Sequence, residues 1–262
     1  MKTKHFSLEE RVVEPFHAIR WVFITRTTAI GSILALLLFY FGWWHFHEQV
    51  FLLWKSILQI FVNAIGASWT IQDGFWPDTT NAFLTLPKLN VPLLPPDVLT
   101  WWSFALGTIG IWIGVGFFKM SLLPIRTFTR FMMFLVWVSL ACFAIAPLQF
   151  HHTIDEWSKV FFLSAYFTVF IYTAIWTFGV LWLPIPLRVK LFVSALLTGY
   201  LLVGPPVLFF VSVLFLVHSS IILLPLLALA ITPLLQLGWF VSFYSIALSS
   251  GPDGLAEQEA TT

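Results

Sequence analysis

From Leu191 to Pro252 the chain contains no Lys, Arg, Asp or Glu. A soluble domain keeps roughly 25% of its residues charged to hold its surface in water, so a segment this long must be withdrawn from water. The rest of the sequence behaves alike, since 59% of the 262 residues are hydrophobic and only 10% are charged. Apolar helices of about 20 residues cross a hydrocarbon layer ~30 Å thick at ~1.5 Å of rise per residue. Runs of that kind fall at 27–44, 101–118, 131–149, 160–183, 191–217 and 220–247. The expected fold class is an all-α integral membrane protein with about six transmembrane helices. Gly204-Pro205-Pro206, Pro225 and Pro233 interrupt the last two runs, so three shorter spans after residue 190 fit the same composition.

Basic residues orient these spans. Lys2, Lys4, Arg11, Arg20, Arg26, Lys119, Arg126, Arg130, Arg188 and Lys190 fall on one side, and only Lys55, Lys88 and Lys159 on the other. Cytoplasmic loops carry the excess of Lys and Arg, so both termini are expected in the cytoplasm. No cleavable leader is recognised, and a bacterial cytoplasmic membrane is the expected location. Residues 1–26 read as a cytoplasmic amphipathic segment. Ser7-Leu8-Glu9-Glu10 opens it as a capping box, and Val12, Phe16, Ile19 and Phe23 give it one apolar face. Residues 27–248 form the membrane domain, and the acidic tail 249–262 is expected to be disordered.

The segment 45–100 then lies outside. HEQVFLLWKSILQIFVNAIGASW is apolar, yet Lys55, Gln59 and Asn63 recur every four residues. That polar stripe predicts an interfacial or re-entrant helix over 49–67, with a full span as the alternative. QDGFWPDTTNAFLTLPKLNVPLLPPDV follows as a proline-rich loop of extended character.

Chemistry-bearing side chains cluster on the same outer side. His45, His47 and Glu48 follow the first span, and His151, His152, Asp155 and Glu156 follow the third. Imidazole with carboxylate suits a transition metal, so His45, His47, His151, His152, Asp155 and Glu156 are candidate ligands. The alternative is an aromatic and polar belt at the headgroup level. His218, at an outer turn, is a further candidate for the histidine set. The single cysteine, Cys142, excludes an internal disulfide and a cysteine-based zinc site, and its apolar helix predicts a buried, inert thiol. No phosphate loop or nucleophile elbow is present, and no charge falls in the central membrane region. A net charge of +1 removes nucleic acid as a partner. Gly107, Gly110 and Gly114 line one side of the second run. Small residues let helices approach closely, so these predict a packing face for another span or another protein.

The order of FVNAIGASWTIQDG, the proline-rich loop, WWSFALGTIGIWIGVGFF, LLPIR and HHTIDEW resembles the layout of exosortases and archaeosortases over roughly residues 60–183. Those are multi-pass membrane cysteine transpeptidases. PPDVLTWWS stands where the family's Cys-Ser/Thr-Gly motif is expected, and IAPLQF where its arginine is expected. Only His151 or His152 has a counterpart, so the resemblance implies a layout without the transpeptidase chemistry. The role expected from the residues is a non-catalytic membrane subunit or scaffold, with lipids and other membrane proteins as partners. A metal-dependent or metal-handling protein and a small transporter with broken C-terminal helices are the alternatives.

Overall fold

The computed structural model describes residues 26–76, 84–92, 95–118, 123–145, 154–180 and 185–249. The expectations for the N-terminal segment and the acidic tail therefore lie outside the described residues. The described chain forms α1 (Arg26–His45), α2 (His47–Ala64), β1 (Thr70–Trp76), β2 (Leu84–Asn90), α3 (Val98–Gly116), α4 (Leu123–Ile145), α5 (Ile154–Val180), α6 (Leu187–His218) and α7 (Ile221–Ser249). α3 to α7 are each long and apolar enough to cross a membrane. The pair of α1 and α2 adds a sixth candidate if it is one broken span. This helical architecture is compatible with an integral membrane protein.

Side-chain contacts define an up-and-down bundle. Tyr40 and Trp43 of α1 meet Phe170 and Tyr166 of α5, so the two helices run antiparallel. Trp157 of α5 meets Phe209 of α6, and Trp176 Nε1 donates to Ser194 Oγ at 2.9 Å, again antiparallel. α7 runs alongside α5, with Phe240 against Tyr172 and Tyr244 against Gly179. α3 and α4 form their own antiparallel pair. Trp101 Nε1 donates to the Leu140 carbonyl, Trp137 Nε1 to Thr108 Oγ1, and Arg130 lies over the Trp112 ring.

α2 leaves α1 at 63° and packs on α6 and β2, not in line with the bundle. Its apolar face (Val50, Phe51, Trp54, Leu58, Val62) is buried, while the polar stripe faces away. On that stripe Gln59 Nε2 donates to Asn63 Oδ1, and Lys55 Nζ lies 2.6 Å from Asp73 Oδ1. Two short antiparallel strands occupy the proline-rich segment, pairing Thr70 with Asn90 through Trp76 with Leu84. The expectation of a loop of extended character is thereby sharpened to a paired hairpin. Burial of Leu84, Leu86 and Leu89 anchors β2 on α5, where Leu89 N–H donates to Ser158 Oγ.

Two further corrections and one agreement follow. α4 begins at Leu123, so Arg126 and Arg130 ride its first turns and do not precede it. The stacking of Arg130 on Trp112 accounts for the earlier start: it shelters an aliphatic stem while the head stays near the helix end. Cys142 is exposed, because α4 buries the row Met132, Leu135, Val136, Ser139, Leu140 and Phe143 and turns Cys142 away. Finally, α6 is continuous through Pro205 and Pro206. A proline at 206 removes the N–H that would satisfy the Leu202 carbonyl. Trp54 Nε1 of α2 donates to that carbonyl at 2.8 Å instead. After residue 190 the chain thus makes two long helices, not three.

Candidate functional site

The end of the bundle that carries the hairpin gathers most of the polar chemistry. α5 begins there and α2 with the two strands packs over it, while α1 stops lower, with Trp43 against Tyr166 of α5. All three lysines of this end have acidic neighbours. Lys55 pairs with Asp73, Lys88 Nζ lies 2.8 Å from Asp155 Oδ2, and Lys159 shares a cleft with Glu156. The described arginines at 26, 126, 130 and 188, and Lys190, all sit at the helix starts of the opposite end.

The candidate metal ligands separate into engaged and unengaged groups. His45 is exposed at the end of α1, with its ring stacked on Phe41. His47 opens α2, and its Nδ1 donates to the Trp44 carbonyl at 2.6 Å, which leaves Nε2 as the lone-pair nitrogen. Asp155 is held by Lys88 and accepts from the Glu156 N–H through its other oxygen. His151 and His152 lie outside the described residues. Among the described residues no three His, Cys, Asp or Glu side chains come together around a metal-sized point. His218 Nδ1 is bonded to its own helix at the Leu214 carbonyl.

A cleft of about 670 Å³ opens beside this polar surface, between the first turns of α5 and the start of α7. Glu156 and Lys159 stand on one of its walls with Trp157, Val160 and Leu163, and Trp76 at the end of β1 closes one side. The facing wall is Leu224, Pro225, Ala228 and Leu229. That wall has unusual backbone. α7 starts with a 3₁₀ turn at Ile221–Leu223, passes one α turn, and opens into a π turn at Leu227–Ile231 before regular helix resumes at Thr232. Single π turns cost helix stability and concentrate at functional sites. The sequence reading missed this cleft, although Pro225 and Pro233 on either side of LLALAIT were its signal.

The third feature is α3. A Cβ built at Gly107, Gly110 or Gly114 meets nothing within 4 Å. Only 17% of the membrane-length window of α3 is buried, against 44% for α5 and α6. Its opposite side is fixed on α4 by the Arg130–Trp112–Trp137–Thr108 ladder. No protein-family model, curated protein or solved structure matches the chain.

Proposed function

We propose that this chain is a non-catalytic polytopic membrane subunit that uses the small-residue side of α3 to seat another membrane protein. The carrying observation is that side itself. Three glycines in helical register are exposed, a Cβ at any of them would meet no described atom within 4 Å, and the helix is held on α4 from behind. In lipid, association depends on close backbone approach, because apolar side chains gain nothing by leaving the acyl chains. The bundle is read as membrane-spanning, with exposed Leu, Ile and Phe on α1, α3 and α4 facing lipid. Arginines gathered at one end support placing that end in the cytoplasm and the hairpin end outside, in keeping with a bacterial inner membrane.

The test uses the open space at the glycines. Gly110→Leu combined with Gly114→Leu adds bulk only where a partner would sit. Mild-detergent pull-down from native membranes is expected to recover a stoichiometric membrane partner with the wild type and to lose it with the double variant, whose thermal unfolding midpoint is no lower than that of the wild type. Recovery of a lone wild-type monomer, or full partner retention by the variant, overturns the proposal.

A further inference from the structure

We infer that the cleft between α5 and α7 binds one zwitterionic phospholipid from the outer leaflet, a ligand class distinct from the protein partner at α3. The inference rests on the membrane reading above. Its volume of about 670 Å³ falls within the ~300–1,000 Å³ of small-molecule sites. Its polarity is graded along one helix. Glu156 and Lys159 mark the mouth in the first turns of α5, and Val160 and Leu163 follow deeper on the same wall. Trp76, against Phe167 further along α5, and Trp157, packed inward on Phe209, line the cleft from its protein side.

The charges select the headgroup. A carboxylate and an ammonium three residues apart on a helix face the same way. Together they match an amine and a phosphate: Lys159 pairs with the phosphate and Glu156 with the amine. A purely anionic headgroup would meet Glu156 as a like charge. The apolar wall Leu224–Leu229 supplies the surface for one acyl chain, and the π turn sets its curvature. Irregular backbone at membrane depth persists where it lines a cavity or is buried in protein.

The experiment is native mass spectrometry of the full chain from nanodiscs holding equal phosphatidylethanolamine and phosphatidylglycerol, with crosslinking by a chain-diazirine phosphatidylethanolamine. Expected are one retained phosphatidylethanolamine and crosslinks within 157–163 and 224–229. Val160→Trp, at a position 63% exposed and therefore tolerant of bulk, is expected to weaken retention at least tenfold. Glu156→Gln is expected to remove the preference over phosphatidylglycerol. Equal retention by wild type and Val160→Trp, or no headgroup preference in the wild type, overturns the inference. Carbonate extraction of native membranes separates the two levels. Release of the chain overturns the membrane reading and this inference together, whereas an embedded chain with an empty cleft overturns this inference alone.

Discussion

Trp54 and Trp102 have the same side chain and opposite surroundings. Trp54 is fully buried where α2 crosses α6, packed on Phe51 and Phe162, with its indole N–H on the Leu202 carbonyl. Trp102 on α3 is 55% exposed and touches the edge of Trp101. At the hairpin end aromatic rings interlock, two lysines pair with aspartates, and a proline-freed carbonyl finds a donor. Along α3 it stops at one side and leaves the other bare. The contrast separates surface that the fold needs from surface it presents. Trp54→Ala breaks it most sharply. Loss of a fully buried large aromatic costs ~3–5 kcal/mol, and the Leu202 carbonyl loses its donor as well. Trp102→Ala is expected to stay within ~0.5 kcal/mol. Thermal unfolding in one detergent measures both, and similar shifts for the two variants would erase the distinction.

Two glycines sharpen the same comparison. At Gly204 a Cβ would stand 2.5 Å from Cε2 of Tyr200. That ring cannot yield freely, because Trp239 and Phe243 of α7 hold it at 5.8 and 5.9 Å between centroids. Gly204→Ala therefore overpacks the α6–α7 contact and is expected to cost ~1–3 kcal/mol. At Gly110 nothing lies within 4 Å, so Gly110→Ala gains helix propensity of up to ~1 kcal/mol. Opposite signs in the unfolding midpoint are expected. Stabilisation by Gly204→Ala would show that Tyr200 moves aside at no cost.

Which parts were legible in the sequence follows from the range of the interactions that form them. The long helices were readable from the absence of charge over long apolar runs, a signal each residue carries regardless of its neighbours. The two-sided character of α2 was readable from Lys55, Gln59 and Asn63, which recur within one helix. The hairpin was not. Pro87 and the polar run around Asp73 suppress strand signals, and β2 is held through Ser158 of α5, far along the chain. The run at 191–217 was legible as one helix, but the donor that satisfies its proline-freed carbonyl was not, since Trp54 lies 148 residues away from Leu202 in sequence. The sequence expectation grouped Glu48, Asp155 and Glu156 on one side, but their pairing was not legible. Spacing along the chain does not reveal that Lys88 reaches Asp155. The cleft depends on a π turn, and hydrophobic periodicity carries no mark for one inserted residue.

The smallest effect concerns how α3 and α5 begin. Ser158 Oγ donates to the Asp155 carbonyl and accepts from β2, so the start of α5 is clamped between strand and helix. α3 starts with its own cap, and the first link to another element is the Trp101 indole on the Leu140 carbonyl. Asp97 accepts from the Thr100 backbone N–H at 3.0 Å and stays open to water. The Thr100 hydroxyl, then that N–H, hold the Asp97 carboxyl below its ordinary value by bonding to the charged form. A pKa lowered by folding makes the contribution of the cap fully present above the unfolded value of ~3.9. It is lost as pH falls through the lower folded value. Acidification is therefore expected to fray the first turn of α3 below that point and to leave its last turn intact. Carboxyl-carbon NMR of Asp97 is expected to give a midpoint below the free-aspartate range, moved upward in Thr100→Val. A midpoint at or above the free value would mean that α3 starts without this cap, and that its exposed side is held in place by the ladder on α4 alone.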